Sequence, residues 1–238
     1  MGLPTEKYTT DEYLKNNPTW DIEDSPWKAE NVIHMLSAID KTPESICEIG
    51  CGAGGVLVAL RRYFQEVDLF GFDIARDVSR FWESHKYAGI DFKLGDFFHL
   101  NKRRYDVLLL LDVIEHLQNP FDFIYRLQGF ADYFIFHIPL DLSAVSVLRE
   151  APLLYVRNKV GHIHYFTKTL ALSLLEECNY EIIKWQYTGA SINAPNRSIK
   201  TKIASMPRHL AYLLNKDWGV RLFGGETLMI LAKTGDRK

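Results

Sequence analysis

The chain has 238 residues, of which 47% are hydrophobic and 24% are charged, and its formal net charge at pH 7 is -2. This length and composition favour one globular domain with a buried core, and they exclude two ordinary domains. The near-neutral charge provides no general attraction to nucleic acid, so we expect no nucleic-acid partner.

The sequence contains no segment typical of export or of membrane insertion. Residues 1–27 are polar and acidic, unlike a signal peptide, and the longest apolar run, 107–111, is far shorter than the ~20 residues of a membrane span. The three cysteines are too few for a disulfide framework, which favours a reducing compartment: Cys47, Cys51 and Cys178. Cys47 and Cys51 have no second Cys or His pair nearby, as a zinc site would require. We therefore predict a soluble, cytoplasmic protein without a bound metal.

Apolar patterning predicts alternating helices and strands over the first 140 residues. After an irregular arm at 1–28, we expect helices and strands in this order: helix around 32–39, strand 45–50, helix 56–64, strand 67–73, helix 75–87, strand 91–94, strand 105–111, helix from Asn119-Pro120 and strand 133–138. The strand at 105–111 is almost continuously apolar, as is typical of a parallel strand covered on both faces. This order predicts an α/β fold with a doubly wound, mostly parallel sheet.

The pattern after residue 140 predicts two insertions and a last strand that is not parallel to its neighbours. The insertions lie at about 141–160 and 188–225, and between them a helix beginning at Thr167 or Thr169 leads into a strand at 181–187. The last strand, 226–233, follows without a helical crossover, so we expect it to be antiparallel to its neighbour. The whole pattern predicts a seven-stranded sheet in one domain, 29–238, preceded by the arm.

A glycine-rich segment lies between the first predicted strand and the following helix, and it reads Glu48-Ile49-Gly50-Cys51-Gly52-Ala53-Gly54-Gly55. Glycines allow the backbone to turn sharply and allow a ligand to approach it without a Cβ clash. The helix beyond supplies unpaired N–H groups and the positive end of its dipole. Open α/β sheets bind ligands at this position.

Acidic residues follow three further strands at the same predicted edge of the sheet. Asp73 comes about twenty residues after the glycines, where a carboxylate can accept hydrogen bonds from ribose hydroxyls. Asp96 could bind an adenine amino group while Phe97 packs against the ring, and Asp112 ends the fourth strand. Each acid alone could instead cap a helix. Together they predict a nucleotide-like ligand at this edge.

These segments together resemble the class I S-adenosylmethionine-dependent methyltransferases, specifically the broad group with a D-V-I-E-H-L fourth-strand motif. The matching residues are Glu48-x-Gly50-x-Gly52-x-Gly54, Asp73, Gly95-Asp96, Asp112-Val113-Ile114-Glu115-His116-Leu117 and Gly161-His162-Ile163-His164-Tyr165-Phe166-Thr167. The resemblance covers about residues 30–187 and the last strand. One departure is Asn179, where the group usually has glycine; Asn tolerates the left-handed conformation.

The resemblance implies S-adenosylmethionine as the cofactor and a role for each matching residue. Asp73 would bind the ribose and Ile74 would flank the adenine, while Asp96 and Phe97 would contact the base. The backbone at Asp112 and Val113 would close over the methionine portion. The first turn would lie against the amino-acid part of the cofactor through Glu48, Gly50, Cys51, Gly52 and Gly54. Trp27 and Lys28, just before the first predicted helix, are further candidates to pack over it.

Three histidines are candidate general bases for the methyl acceptor: His116, His162 and His164. His162 and His164 alternate along the chain and should face opposite ways, so at most one should reach the site, and joint metal binding by them is disfavoured. We favour His116 and His162 as catalytic candidates.

The second insertion is the candidate region for binding the acceptor. It lies in a stretch, 182–216, that carries no Asp or Glu, and it contains Arg197, Lys200, Lys202 and Arg208. A helix starting near Met206 places Met206, Leu210, Leu213 and Leu214 on one face. This pattern is compatible with a lid for an acidic acceptor, with contact to a membrane surface, or with a solvated surface over a small core. We predict a small-molecule, sugar or lipid-linked acceptor.

Two other functional classes remain open at this point. Gly50, Gly52 and Gly55 also satisfy the GxGxxG pattern of NAD(P)-dependent oxidoreductases, and Tyr155 and Lys159 have the spacing of the short-chain dehydrogenase pair. That spacing is expected by chance in a chain with this many tyrosines and lysines. The third possibility is a methyltransferase-like fold that binds a ligand without catalysis.

Overall fold

The computed structural model describes residues 17–189 and 206–235, and a seven-stranded sheet runs through them. The strands lie in the order β3-β2-β1-β4-β5-β7-β6. Their bounds are β1 Ser45–Ile49, β2 Asp68–Asp73, β3 Ile90–Leu94, β4 Tyr105–Leu111, β5 Ala131–Pro139, β6 Tyr180–Tyr187 and β7 Thr227–Thr234. The fold is the doubly wound α/β architecture that the sequence predicts.

Ten α-helices accompany the sheet within the described residues: α1 Ser25–Leu36, α2 Gly55–Arg61, α3 Ser79–Trp82, α4 Phe97–Leu100, α5 Pro120–Leu127, α6 Ala144–Arg149, α7 Ala151–Lys159, α8 Lys168–Glu177, α9 Met206–Leu214 and α10 Lys216–Phe223. Short 3₁₀ turns lie at Ile22–Asp24, Arg76–Val78, Glu83–Ala88 and Ile114–His116. No helix in this part of the chain is both long and apolar enough to cross a membrane.

The central strands are parallel and buried on both faces. β1 pairs with β2 on one side and with β4 on the other, with Ile46 opposite both Leu69 and Val107. Residues 107–111 of β4 are buried and alternate between two hydrophobic clusters, one on each face of the sheet. This double burial explains why β4 is continuously apolar rather than alternating.

The last two strands form the antiparallel pair that the sequence predicts. β7 inserts between β5 and β6 and runs antiparallel to both, with Ile135 opposite Leu231. Asn179, at the end of α8, has φ 61°, the left-handed conformation expected at this helix end.

Some predicted element boundaries differ from the structure. The first helix begins at Ser25, within the segment predicted to be an irregular arm, with Pro26 in its first turn. The helix predicted at 75–87 is divided into α3 and two 3₁₀ turns. The first insertion contains two helices that separate at Glu150, where φ is 54°. The division into an arm and a domain stays a prediction.

The second insertion is partly described. Residues 190–205, which include Arg197, Lys200 and Lys202, lie outside the described residues. Helix α9 confirms the helix predicted near Met206. However, its leucines do not cover a small core, because Leu213 and Leu214 are 85% and 81% exposed.

Candidate functional site

A cavity of about 390 Å³ opens at the carboxyl ends of the central strands. Its volume lies within the usual range for small-molecule sites. Residues from β1, β2 and β4, from the turns that follow them, and from α1 surround it. The predicted site residues that line it are Glu48, Gly50, Cys51, Gly52, Asp73, Ile74, Asp112, Val113, His116 and His162. The fold therefore brings most of the predicted residues to one place.

The glycine turn after β1 is fixed by backbone geometry. The N–H groups of Gly50 and Cys51 donate to the Phe72 carbonyl at 2.8 and 3.1 Å, which ties the turn to β2. Gly50 has φ +74°, and a Cβ there would lie 2.6 Å from Val113 Cγ2. Glycine at this position therefore permits both the turn and the close approach of the segment after β4.

Gly54 has a different role from the one predicted. Its φ is +80°, and a Cβ there would lie 2.5 Å from the Phe92 ring. Gly54 is absent from the cavity lining, whereas its neighbours Ala53 and Gly55 contribute to it. It thus allows β3 to pack against the turn rather than facing a ligand.

Asp73 fixes the junction between β2 and the glycine turn. One carboxylate oxygen accepts from the Gly52 N–H and the other from the Ala75 N–H, each at 2.8 Å. Burial raises the pKa of Asp73 above its usual value, although the backbone N–H groups of Ala75, Gly52 and Ile74 oppose the shift. A carboxylate has about four lone-pair sites, so it can accept further hydrogen bonds from the cavity.

Glu48 is a buried carboxyl group that faces the cavity. Its Oε2 is buried without a hydrogen-bond partner among the described residues. Burial raises the pKa of Glu48 to about 8; the nearby charge of Lys28 opposes the shift, while the charges of Asp73 and Asp112 add to it. A buried polar atom without a partner is rare in proteins and is a natural contact for a ligand.

Asp112 is held between a lysine and a histidine. Its carboxylate lies 2.7 Å from Lys28 Nζ and 2.7 Å from His137 Nδ1. These two neighbours, with His137 the stronger influence, lower the pKa of Asp112 despite its burial. In turn the pKa of Lys28 is raised by Asp112, so this lysine stays charged. The backbone of Asp112 is left-handed, with φ 57°, a conformation that aspartate and asparagine adopt more readily than other residues with a side chain.

A second polar group, formed by Glu115, His116 and His162, lines the same cavity. The Glu115 side chain is 0% exposed. Burial, with repulsion from Asp112, raises the pKa of Glu115 well above its usual value. Burial also lowers the pKa of His116 to about 4, and the adjacent His162 adds to the shift. His116 is therefore neutral at pH 7.

The two predicted catalytic histidines lie side by side, and His164 does not join them. The rings of His116 and His162 have centroids 4.9 Å apart. His164 points elsewhere, with its Nε2 2.8 Å from the Leu117 carbonyl. The predicted alternation of His162 and His164 is therefore confirmed.

Two predicted cofactor contacts lie elsewhere in the fold. Phe97 is only 3% exposed and packs in the core against Phe72, Phe98 and Phe130. Asp96 caps α4 by accepting from the His99 N–H at 3.0 Å, outside the cavity lining. The burial of Phe97 corrects the expectation that it stacks on a base, because the neighbouring aromatic rings already cover its side chain.

Several cavity residues have no clear signal in the sequence. Trp20, Asp21 and Asp24 line the cavity from the segment before α1. His137 is buried in β5 and contacts Asp112. Asp141 lies just beyond that strand and contacts His162. No local motif predicts such contacts. The one signal in the sequence is the group of acidic residues just before the first helix, which includes Asp21 and Asp24. Trp27, one of the two arm candidates, packs edge-on against His137, while Lys28 reaches the cavity.

Comparison with known proteins identifies the family. A family model described as a methyltransferase domain matches residues 24–184, about two thirds of the chain. The chain belongs to this methyltransferase family. It is an S-adenosylmethionine-dependent enzyme, as the sequence motifs predict. No curated protein matches the methyltransferase by sequence.

Solved structures show the same fold at low identity. The plantazolicin methyltransferase BpumL, in complex with a pentazolic desmethylPZN analogue and SAH, is 16% identical with a TM-score of 0.66, over 98% of this chain and 95% of that chain. The magnesium protoporphyrin IX methyltransferase ChlM from Synechocystis PCC 6803, with bound SAH, is 16% identical with a TM-score of 0.59, over 90% of this chain and 86% of that chain.

The family match decides against the other two interpretations. It does not support an oxidoreductase, and Tyr155 and Lys159 are both exposed on α7. It likewise favours an enzyme over a binding module. The residues of the methyltransferase also fit the cofactor, because an open glycine turn, a buried unpartnered Glu48 oxygen and the Asp73 carboxylate surround one cavity.

Proposed function

We propose that this methyltransferase binds S-adenosylmethionine across the glycine turn and methylates a small molecule held beside His116 and His162. The observation that carries the proposal is the continuity of one cavity, whose lining includes both the glycine turn and the two histidines. A ligand bound along the turn and an acceptor beside the histidines would share this space.

The amino-acid part of the cofactor would lie between Glu48 and Lys28. The unpartnered Glu48 oxygen suits an ammonium group, and such a contact would compensate its burial. Lys28 donates to Asp112 and has further N–H donors that suit a carboxylate. The backbone from Gly50 to Gly52 would lie against this portion.

The adenosine part would lie along the end of β2. Asp73 retains lone pairs for the ribose hydroxyls, while its bonds to Gly52 and Ala75 keep the carboxylate in place. Ile74 is partly exposed and lines the cavity, so its side chain would flank the base. The segment Asp112–Val113 would close the opposite wall.

The cofactor supplies an activated methyl group on a sulfonium sulfur. The chain must hold the acceptor atom in line with that methyl group, keep water away and receive the acceptor's proton. His162 Nδ1 lies 2.6 Å from the Asp141 carboxylate, which orients the ring and leaves Nε2 as the basic nitrogen. His116 Nδ1 lies 3.1 Å from the Gly161 carbonyl, so its Nε2 is likewise the basic nitrogen.

Helices α9 and α10 support an acceptor that is lipid-linked or partly apolar. They present an exposed set of large apolar side chains, which we call the apolar helix face: Leu210, Leu213, Leu214, Trp218 and Leu222. Arg221 is exposed beside it, and the stretch 182–216, which includes α9, carries no acidic residue. We propose that this face contacts an anionic lipid surface that holds the acceptor.

The surroundings of the three cysteines support a reducing location such as the cytoplasm. Cys47, Cys51 and Cys178 are all free and buried. Burial raises the pKa of each thiol, which makes the thiolate scarce and the group unreactive.

Calorimetry and thermal shift test the proposed cofactor site. The purified chain should bind S-adenosylhomocysteine and be stabilised by it, while NAD and NADP should have no effect. The variants Glu48→Gln and Asp73→Asn should each weaken this binding. Absence of S-adenosylhomocysteine binding to folded protein would contradict the proposed site.

A further inference from the structure

Glu115, His116 and His162 bring three potential metal ligands together. Glu115 Oε1 lies 3.9 Å from the Nε2 atoms of both His116 and His162. One ligand atom from each of the three residues lies within 4.8 Å of the other two. The Glu115 carbonyl accepts from the N–H groups of Ile163 and His164 at 2.9 and 3.1 Å, which holds the two segments together.

Both imidazoles are oriented as metal-binding histidines usually are. The Nδ1 side of His162 faces the Asp141 carboxylate at 2.6 Å, and the Nδ1 side of His116 faces the Gly161 carbonyl at 3.1 Å. Metal-binding histidines commonly donate their second ring N–H to a carboxylate or a backbone carbonyl, which fixes the tautomer. Here that arrangement directs both Nε2 atoms toward Glu115.

The Glu115 carboxyl group is an independent indication of a ligand. It is 0% exposed, and both of its oxygens are buried without a hydrogen-bond partner among the described residues. An ionised carboxylate in such a place is strongly disfavoured and takes up a proton unless a cation or a donor compensates its charge. Its basic neighbours within the cluster are two imidazoles that share the same space, and a cation between the three groups would compensate the carboxylate.

We propose that Glu115, His116 and His162 bind one divalent transition-metal ion of the zinc type. Two imidazole nitrogens and one carboxylate oxygen form a ligand set that such ions favour, at about 2.0–2.2 Å from the metal. Tetrahedral ligands at these lengths are about 3.4 Å apart, so binding requires each side chain to move inward by a few tenths of an ångström. Side-chain rotation alone can supply this movement.

The ion would face the acceptor end of the cavity. Three protein ligands leave at least one coordination position open, as in catalytic rather than structural zinc sites. All three residues line the cavity, so an oxygen or nitrogen atom of the acceptor can fill that position. This part of the inference rests on the proposed function and requires an acceptor with an oxygen or nitrogen atom that can bind the ion. With the ion bound, His116 and His162 both act as ligands rather than as bases, because both Nε2 lone pairs are used. The ion would instead lower the pKa of the bound acceptor group, whose proton would pass to water.

Metal titration of the full chain tests the proposal without reference to activity. Chelator-treated protein is titrated with ZnCl₂ by calorimetry and with CoCl₂ by visible absorption. We expect one ion per chain and the absorption bands of a four- or five-coordinate cobalt site. Glu115→Gln and His162→Gln should each weaken Zn²⁺ binding by ~100-fold or more, and Asp141→Asn by ~10–100-fold.

The matched control is His99→Ala, which removes a histidine whose side chain is 86% exposed and lies away from the cluster. It should leave the Zn²⁺ affinity unchanged. Unchanged affinity in either cluster variant would overturn the proposal, and so would six-coordinate cobalt bands in the wild-type chain. S-adenosylhomocysteine binding, measured on the same metal-free samples, shows that the variants are folded. It also separates failure of the metal site from failure of the cofactor site.

Discussion

Lys28 Nζ lies 2.7 Å from the Asp112 carboxylate, so a residue of the first helix is joined to the end of the fourth strand. This ion pair closes one wall of the cavity, and its charges also act on the neighbouring Glu48. The contact connects the stability of α1 with the shape of the proposed cofactor site.

Lys28→Met should lower both stability and cofactor affinity. Removing one partner of a fully buried ion pair costs ~3–5 kcal/mol. The Lys28–Asp112 pair is only partly buried and Asp112 keeps its contact with His137, so the loss should lie at or below the lower limit. Urea unfolding measures the stability and calorimetry measures S-adenosylhomocysteine binding. Lys41→Met is the control, because Lys41 pairs with Glu44 on the exposed surface. An equal, small loss in both variants would show that the buried pair does not stabilise the protein.

Glu48 should make the stability of the cofactor-free protein depend on pH. Its pKa is raised from 4.5 to about 8, so the folded chain binds this proton more tightly than the unfolded chain does. The resulting stabilisation is complete below pH 4.5 and is lost as the pH rises through about 8. Because one pKa unit corresponds to ~1.4 kcal/mol, the total is at most ~5 kcal/mol.

Glu48→Gln removes this titration. Relative to the wild type, the variant should therefore gain thermal stability as the pH is raised from 4.5 to 8, in the absence of cofactor. In the wild type, S-adenosylhomocysteine affinity should increase over the upper part of this range, because the ionised carboxylate is the form that pairs with an ammonium group. A parallel pH dependence in the two proteins would exclude Glu48 as the titrating group.

Asp73→Asn and Asp96→Asn should have opposite outcomes for the cofactor. Hydrogen bonds to a charged group contribute ~1.5–3 kcal/mol, so loss of the Asp73 charge should weaken S-adenosylhomocysteine binding ~10–100-fold. Asp96 caps α4 outside the cavity lining, and asparagine is an equally good cap, so its variant should bind normally. Calorimetry on both proteins decides between the two positions. Weakened binding in Asp96→Asn would instead support the contact between Asp96 and adenine that the sequence predicts.

Gly50→Ala should be more disruptive than Gly89→Ala. Both glycines have positive φ, +74° and +63°, so alanine is strained at both. Only at Gly50 does the new Cβ meet another group, Val113 Cγ2 at 2.6 Å, whereas nothing lies within 4 Å at Gly89. We expect ~1 kcal/mol lost at Gly89 and ~1–3 kcal/mol more at Gly50, with loss of cofactor binding at Gly50 alone. Equal losses in denaturant unfolding would show that Val113 moves aside freely.

Leu213→Ser combined with Leu214→Ser should abolish lipid binding without affecting the fold. Both side chains are more than 80% exposed, so their replacement removes little buried surface. Flotation with vesicles of phosphatidylcholine and phosphatidylglycerol measures the interaction, and vesicles of phosphatidylcholine alone test its dependence on anionic lipid. Leu148→Ser, at an 86% exposed position of α6, is the control. Binding that persists in the double variant would exclude the apolar helix face.

The sequence by itself determined the sheet and the glycine turn. Apolar runs, turn glycines and the Asn119-Pro120 helix start depend on near neighbours in the chain, so their patterns are local. The edge of the sheet where Asp73 and Asp112 meet follows from the order of strands and helices, because parallel strands all end on one side.

Only the tertiary structure decided which side chains meet across the cavity. Lys28 reaches Asp112, and His162 reaches Glu115, from segments that are distant in the chain. Phe97 follows a strand as the sequence indicates, yet packing against other aromatic rings turns it into the core. Such choices depend on the burial and the charge that folding creates. For that reason the pairing of Glu115 with the two histidines, and the proposed metal site with it, emerges only in three dimensions.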